Sequence, residues 1–71
     1  MNKKATNAEI MKAVISTGLH THYENEQAAS TDEVLSRAIT IKDALHSLYP
    51  LTDADWTEVL RDIGTYADCL V

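Results

Sequence analysis

The stretch LTDADWTEVLRDI, residues 51–63, contains the signals that decide the fold. Thr52 precedes Asp55 by three residues, the spacing of a capping box at the start of a helix. The apolar residues that follow recur at intervals of three and four, which is the period of an amphipathic helix. These positions are Trp56, Val59, Leu60, Ile63, Ala67 and Leu70. The pattern predicts a helix over about residues 53–69.

Two similar start signals occur earlier in the chain. TNAE places Thr6 three residues before Glu9, and STDE places Ser30 three residues before Glu33. In both, the hydroxyl can accept a hydrogen bond from the backbone N–H of the acidic residue, whose carboxylate can accept from the backbone N–H of the capping residue. Each signal is followed by helical periodicity. The sequence therefore predicts two further helices, and no segment predicts a β-strand.

The first helix is predicted over about residues 7–23, and the second over about residues 31–48. Pro50 disfavours helical geometry at the residue before it and so ends the second helix. Gly18 lies within the apolar stripe of the first helix, where it could end the helix or allow a neighbour to approach closely. Because the apolar phase continues beyond Gly18, we expect this helix to continue to about Tyr23.

Three helices with short polar connections predict an all-α fold, a small three-helix bundle in one helical domain over residues 1–71. The predicted core is Met11, Val14, Ile15, Val34, Ala38, Leu45, Trp56, Val59, Leu60 and Ile63. A chain of 71 residues buries only about 60% of the surface that its unfolded form exposes. Self-association into a homodimer would add buried area to so small a core.

The charge and the termini limit the classes of function. Six lysine and arginine residues face eleven aspartate and glutamate residues, for a net charge of -5. That charge disfavours direct binding to nucleic acid and to anionic membranes. The start of the chain, MNKKATNAEIM, has no apolar run that would predict a signal peptide or a membrane span. The single cysteine, Cys69, is typical of a reducing compartment, so we expect a cytoplasmic protein.

The segment TGLHTHYENE, residues 17–26, contains the residues that most resemble a metal or catalytic site. On a helix, His20 and His22 point about 200° apart, so they cannot both bind one metal ion. We expect His22 to end the apolar stripe, His20 to be solvated, and no cofactor to be bound. No base is assigned to Cys69 as a nucleophile, which predicts a protein that is not an enzyme. A metal-binding protein built on the two histidines is a hypothesis of function that ranks third, after the two described next.

The second predicted helix carries more large apolar residues than one stripe needs. Leu35 and Ile39 form a second row one turn apart, and Lys42 borders that row. A contiguous exposed apolar patch usually marks a binding surface for a partner. The first hypothesis is therefore a non-enzymatic protein–protein interaction module, a small acidic regulator or inhibitor of the kind found in phages and other mobile elements. It would bind another protein, or a second copy of itself, through this row.

The third predicted helix offers an acidic surface. Asp55, Glu58 and Asp62 are three and four residues apart and share one face of the helix. Such a face could dock on a basic protein or imitate nucleic-acid phosphates. The second hypothesis is accordingly an acidic nucleic-acid mimic, or a subunit of a nucleic-acid-handling complex. The alternative is an ordinary solvated face whose acids interact with the helix dipole.

Overall fold

The computed structural model describes residues 4–71, which form three α-helices. Helix α1 spans Asn7–His22, α2 spans Thr31–Leu45 and α3 spans Asp53–Leu70. Each helix packs against the other two, and the described residues contain no strand. The prediction of an all-α three-helix bundle is confirmed. Residues 1–3, which the sequence analysis included in the helical domain and in the N-terminal segment, lie outside the described residues.

Complete capping boxes begin α1 and α3. The Thr6 hydroxyl accepts a hydrogen bond from the Glu9 backbone N–H at 3.1 Å, and the Glu9 carboxylate accepts from the Thr6 N–H at 3.2 Å. Thr52 and Asp55 make the same two hydrogen bonds, at 3.1 and 3.2 Å. The shorter aspartate side chain therefore completes the box as glutamate does.

The start of α2 contains half of the predicted capping box. The Ser30 hydroxyl accepts from the Glu33 backbone N–H at 3.3 Å. The Glu33 carboxylate does not accept from the Ser30 N–H. It accepts instead from the Tyr23 hydroxyl at 2.8 Å and from the Ala29 N–H at 3.4 Å. The prediction that the Glu33 carboxylate accepts from the Ser30 N–H is wrong. The Tyr23 hydroxyl, at the end of α1, lies within reach of this carboxylate and donates to it instead.

Helix α2 ends at Leu45, three residues before its predicted end. The backbone N–H groups of Leu48 and Tyr49 both donate to the carbonyl of Leu45, at 3.0 and 2.9 Å. This tightens the chain into a turn and satisfies a carbonyl that the helix would otherwise leave open. Pro50 therefore lies beyond a turn and does not directly follow the helix. The Asn7 side chain donates to the Pro50 carbonyl at 3.0 Å and ties this turn to the start of α1.

The core lies along the inner stripe of all three helices. Six predicted core residues are buried, namely Met11, Ile15, Val34, Ala38, Val59 and Ile63. Four others are half-buried, namely Val14, Leu45, Trp56 and Leu60. Leu45 and Trp56 pack against the buried core. All four lie on helix flanks, which stay in partial contact with solvent in a three-helix bundle. The core also contains residues absent from the prediction, namely Ala8, Leu19, Tyr23, Ala28 and Ala67.

Helix α1 is continuous through Gly18, as predicted. A Cβ atom at Gly18 would lie 3.1 Å from the Cδ1 atom of Ile41. The glycine therefore allows α2 to approach α1 closely at this point. The helix closes where the Tyr23 N–H donates to the Leu19 carbonyl at 2.9 Å, one residue after the last helical position.

Candidate functional site

The second apolar row of α2 is divided between the core and the surface. Leu35 is half-buried and packs against the core. Ile39 has 42% of its surface exposed. The opposite flank of α2 faces α1, where Ile41 approaches Gly18. Ile39 therefore points away from α1, toward the side of the bundle that α2 shares with α3.

Lys42 contacts α3 directly. Its Nζ atom lies 4.9 Å from the centre of the Trp56 ring and 3.4 Å from a carboxylate oxygen of Asp43. A cation over an indole ring is an attractive arrangement, so this contact helps to hold α2 against α3. Because Ile39 precedes Lys42 by one helical turn, it borders the same junction between the two helices.

The junction between α2 and α3 presents a surface of apolar side chains. The end of α2 lies beside the start of α3, so the two helices run antiparallel. Leu60 follows Trp56 by one turn on the same side of α3, and both are half-buried. We call this surface the α2–α3 face and define it by Leu35, Ile39, Trp56 and Leu60.

Gly64 extends the α2–α3 face along α3, one turn beyond Leu60. A Cβ atom at Gly64 would meet no heavy atom within 4 Å. Gly64 itself is half-buried, and the position that its side chain would take is open space. Gly18, by contrast, is covered by the Ile41 side chain.

The three acids predicted to share one face of α3 are already engaged within the bundle. The Asp55 carboxylate belongs to the capping box of α3. The Nζ atom of Lys12, on α1, lies 3.7 Å from a Glu58 oxygen and 3.1 Å from an Asp62 oxygen. The hydrogen bond to Asp62 is the main reason that the pKa of Lys12 is raised above its ordinary value. This face is therefore a contact region between α1 and α3 and is partly neutralised.

A cluster that the sequence analysis did not predict joins α1 to α2. The Tyr23 hydroxyl donates to Glu33 at 2.8 Å and accepts from the Nε–H of Arg37 at 3.1 Å. The Arg37 guanidinium also lies 5.9 Å from the centre of the Tyr23 ring. The spacing of four between Glu33 and Arg37 was a signal for this pair, but the tyrosine between them comes from the C-terminal cap of α1.

The cluster shifts the pKa values of its phenol and its carboxylate in opposite directions. Desolvation, followed by the hydrogen bond to Glu33, raises the pKa of Tyr23. The hydrogen bond from Tyr23 is the largest cause that lowers the pKa of Glu33. The cluster therefore keeps a neutral phenol against a charged carboxylate, and it stabilises the connection between α1 and α2.

His20 and His22 are both exposed on the last turn of α1. The His22 ring packs edge-on against Tyr23, with 4.7 Å between the ring centres. Tyr23, and not His22, is the buried residue that ends the apolar stripe, because it lies one full turn after Leu19. Within residues 4–71, no three His, Cys, Asp or Glu side chains are grouped so that they could hold a metal ion.

No pocket opens on the surface that residues 4–71 form. Cys69 is exposed on the last turn of α3, with its sulfur 3.9 Å from the Thr65 carbonyl. Among these same residues, no helix combines the length and the apolar character that crossing a bilayer requires. The chain matches no protein-family model, no curated protein and no solved structure.

Proposed function

We propose that this chain is a non-enzymatic protein-interaction module that binds another protein through the α2–α3 face. The observation that carries the proposal is the exposure of Ile39. Of the large apolar residues that are exposed in residues 4–71, Leu48 lies in a turn and Val71 ends the chain. Ile39 alone among them lies within a helix, and Leu35 lies one turn before it on the same side of α2.

The surroundings of Ile39 support a binding surface. Leu35, Trp56 and Leu60 flank it and are half-buried, so each retains apolar area that a partner could cover. An interface buries an apolar and aromatic centre and leaves charge at its rim. The α2–α3 face has that composition, with Trp56 as its aromatic residue and Lys42 beside it.

A small acidic chain with one such face would act by occupying the surface of a larger protein. We therefore propose the role of a regulator or inhibitor. We place it in the cytoplasm because Cys69, its single cysteine, is an exposed free thiol, which is typical of a reducing compartment. The acidic alternative on Asp55, Glu58 and Asp62 has weaker support, since Lys12 and the α3 cap already engage these carboxylates.

The test compares two charge insertions on α2. Ile39→Asp places a charge in the α2–α3 face. Thr40→Asp places the same charge at the next residue, which is exposed and points about 100° further around the helix. Leu35 is left unchanged because its replacement would also disturb the core. Wild-type and variant proteins serve as baits in an extract of the source cells, and quantitative mass spectrometry compares what each retains. Circular dichroism verifies that both variants are folded.

We expect wild type and Thr40→Asp to retain a protein from the extract that Ile39→Asp does not retain. Should Ile39→Asp retain every protein that wild type retains, the α2–α3 face would not be the binding surface. Charge reversal at Glu58 and Asp62 would then test the acidic alternative, with loss of retention at unchanged helicity as its supporting result.

A further inference from the structure

We infer that the partner segment is an amphipathic helix with an apolar stripe and basic flanks, and that it makes its closest approach over Gly64. This inference rests on the proposed function of the α2–α3 face and adds the chemistry of the partner. Its two independent supports are the open space over Gly64 and the charges that border the face.

The two glycines within helices have different surroundings. Gly18 receives the Ile41 side chain from α2, at 3.1 Å from where a Cβ would stand. Gly64 has the same helical setting, but nothing within residues 4–71 fills the space above it. A glycine in a helix interior is unfavourable relative to alanine, and glycine is commonly found where another group must approach the backbone closely. A partner side chain over Gly64 would repeat the packing of Ile41 over Gly18.

Acidic residues border the α2–α3 face at both of its ends. Asp32 lies two turns before Ile39, and Asp43 lies one turn after it, on the same side of α2. Asp53 lies two turns before Leu60 on the same side of α3. All three acids are exposed. Two basic residues also lie beside the face. Lys42 is already paired with Asp43 at 3.4 Å, and Arg61, one turn before Gly64, is exposed.

These charges favour a basic partner over a second copy of the chain. Because α2 and α3 run antiparallel, Asp32 lies at one end of the face, and Asp43 and Asp53 lie at the other. A two-fold axis within the face would bring each end against the same end or the opposite end of the second copy. Either arrangement places acids against acids, and the net charge of -5 on each copy adds repulsion. Lysine or arginine on the flanks of a partner helix would be complementary.

The probe is a synthetic amphipathic peptide of leucine, alanine and lysine, 18 residues long to match α3. A second peptide has glutamate in place of lysine, and a third has the lysine composition in a scrambled order that forms no apolar stripe. Binding is followed through the fluorescence of Trp56, the single tryptophan of the chain. Sedimentation over a dilution series gives the oligomeric state of the protein alone.

Two leucine insertions on α3 locate the contact. Gly64→Leu fills the open space over the backbone. Thr65→Leu adds the same side chain at the next residue, which is exposed and points about 100° further around α3. Thermal unfolding confirms that each variant keeps its fold. We expect the lysine peptide to bind at least about tenfold more tightly than either other peptide. We expect Gly64→Leu to weaken that binding about tenfold or more and Thr65→Leu to leave it unchanged.

Equal binding of the scrambled peptide would overturn the inference, because simple charge attraction would then explain the result. Equal binding by Gly64→Leu would overturn it as well. Two outcomes would refute the basic partner but keep the α2–α3 face as an interaction surface. One is a wild-type dimer that the Ile39→Asp substitution dissociates. The other is binding of the glutamate peptide to wild type that Ile39→Asp abolishes. If Ile39→Asp changed none of these measurements, the proposed function itself would be refuted.

Discussion

The Cδ1 atom of Ile41 lies 3.1 Å from the position that a Cβ atom would take at Gly18. This contact brings α2 close to α1 and explains why glycine stands in the middle of a helix. Glycine there costs about 1 kcal/mol relative to alanine, and the packing of Ile41 offsets that cost. At Gly64 the described residues provide no such contact, so the same cost has no compensation within the bundle.

Replacing the two glycines by alanine should therefore have different effects on stability. Gly64→Ala should raise the free energy of unfolding by about 1 kcal/mol, because the new methyl group meets open space and improves helix propensity. Gly18→Ala should gain less, because the Ile41 side chain must move to admit the methyl group. Urea unfolding of the two variants beside wild type measures the difference.

Ile41→Val provides the control, since it removes the Cδ1 atom that faces Gly18. In that background Gly18→Ala should recover most of the gain expected at Gly64. A double-mutant cycle gives the interaction energy between the two positions. The same gain for Gly18→Ala in both backgrounds would show that Ile41 does not limit the space there.

Two apolar residues of α3 should differ in their contribution to the core. Ile63 is 1% exposed, so Ile63→Ala should cost about 2–5 kcal/mol of unfolding free energy. Leu60 is half-buried on the α2–α3 face, so Leu60→Ala should cost less than about 2 kcal/mol. Chemical denaturation at equilibrium tests the order. Equal losses would place Leu60 in the core, as its apolar period predicted.

The helix starts were predictable because their chemistry is local. The caps at Thr6 and Thr52 involve residues three apart, so the sequence alone contains both partners of each hydrogen bond. The continuity of α1 through Gly18 was predictable for the same reason. The apolar residues before and after the glycine fall on the same stripe of one helix. The end of α2 was not, because its turn is closed by two hydrogen bonds to Leu45 that the helical period does not encode.

The candidate site was less predictable because it depends on how the helices meet. The helical period of the sequence placed Leu35 and Ile39 on one side of a helix. It could not predict which of the two α3 would partly cover, because that depends on how the helices pack. Likewise, the spacing of Glu58 and Asp62 predicted a shared face, while Lys12 reaches them from another helix. The Tyr23 cluster was missed because the tyrosine lies 10 residues from Glu33 and 14 from Arg37 in the sequence.

The hydroxyl of Tyr23 should contribute to thermal stability. Tyr23→Phe removes the donor to Glu33 and the acceptor for Arg37 but keeps the buried ring, so its melting temperature should fall below that of wild type. Tyr66→Phe is the matched control, because Tyr66 is half-buried and its hydroxyl makes no hydrogen bond within residues 4–71. Equal melting temperatures for wild type and Tyr23→Phe would indicate that water replaces the hydroxyl without loss.

The position of Lys12 between Glu58 and Asp62 should make stability sensitive to salt. Lys12→Met removes the cation and leaves two acids one turn apart, so the variant should melt at a lower temperature in dilute buffer. The difference from wild type should shrink in 1 M salt, where the screening length falls to about 3 Å. A difference that persists unchanged at high salt would assign the effect to packing of the side-chain stem and not to charge.

The last prediction concerns how the free energy of unfolding decreases at acidic pH. The Tyr23 hydrogen bond lowers the pKa of Glu33 below its ordinary value of 4.5 in the folded chain. The unfolded state therefore binds the proton more readily, and the contribution of Glu33 is present above pH 4.5 and is lost as the pH falls through the folded pKa. Glu33→Gln keeps an acceptor for Tyr23 but cannot titrate. The stability of this variant should therefore fall less than that of wild type between pH 5 and pH 3, as measured by urea unfolding at each pH.

Tyr23→Phe should reduce the same loss of stability at acidic pH, and the double variant should add little to either change. Wild-type and Glu33→Gln profiles that run parallel over this range would show that the carboxylate is not coupled to folding.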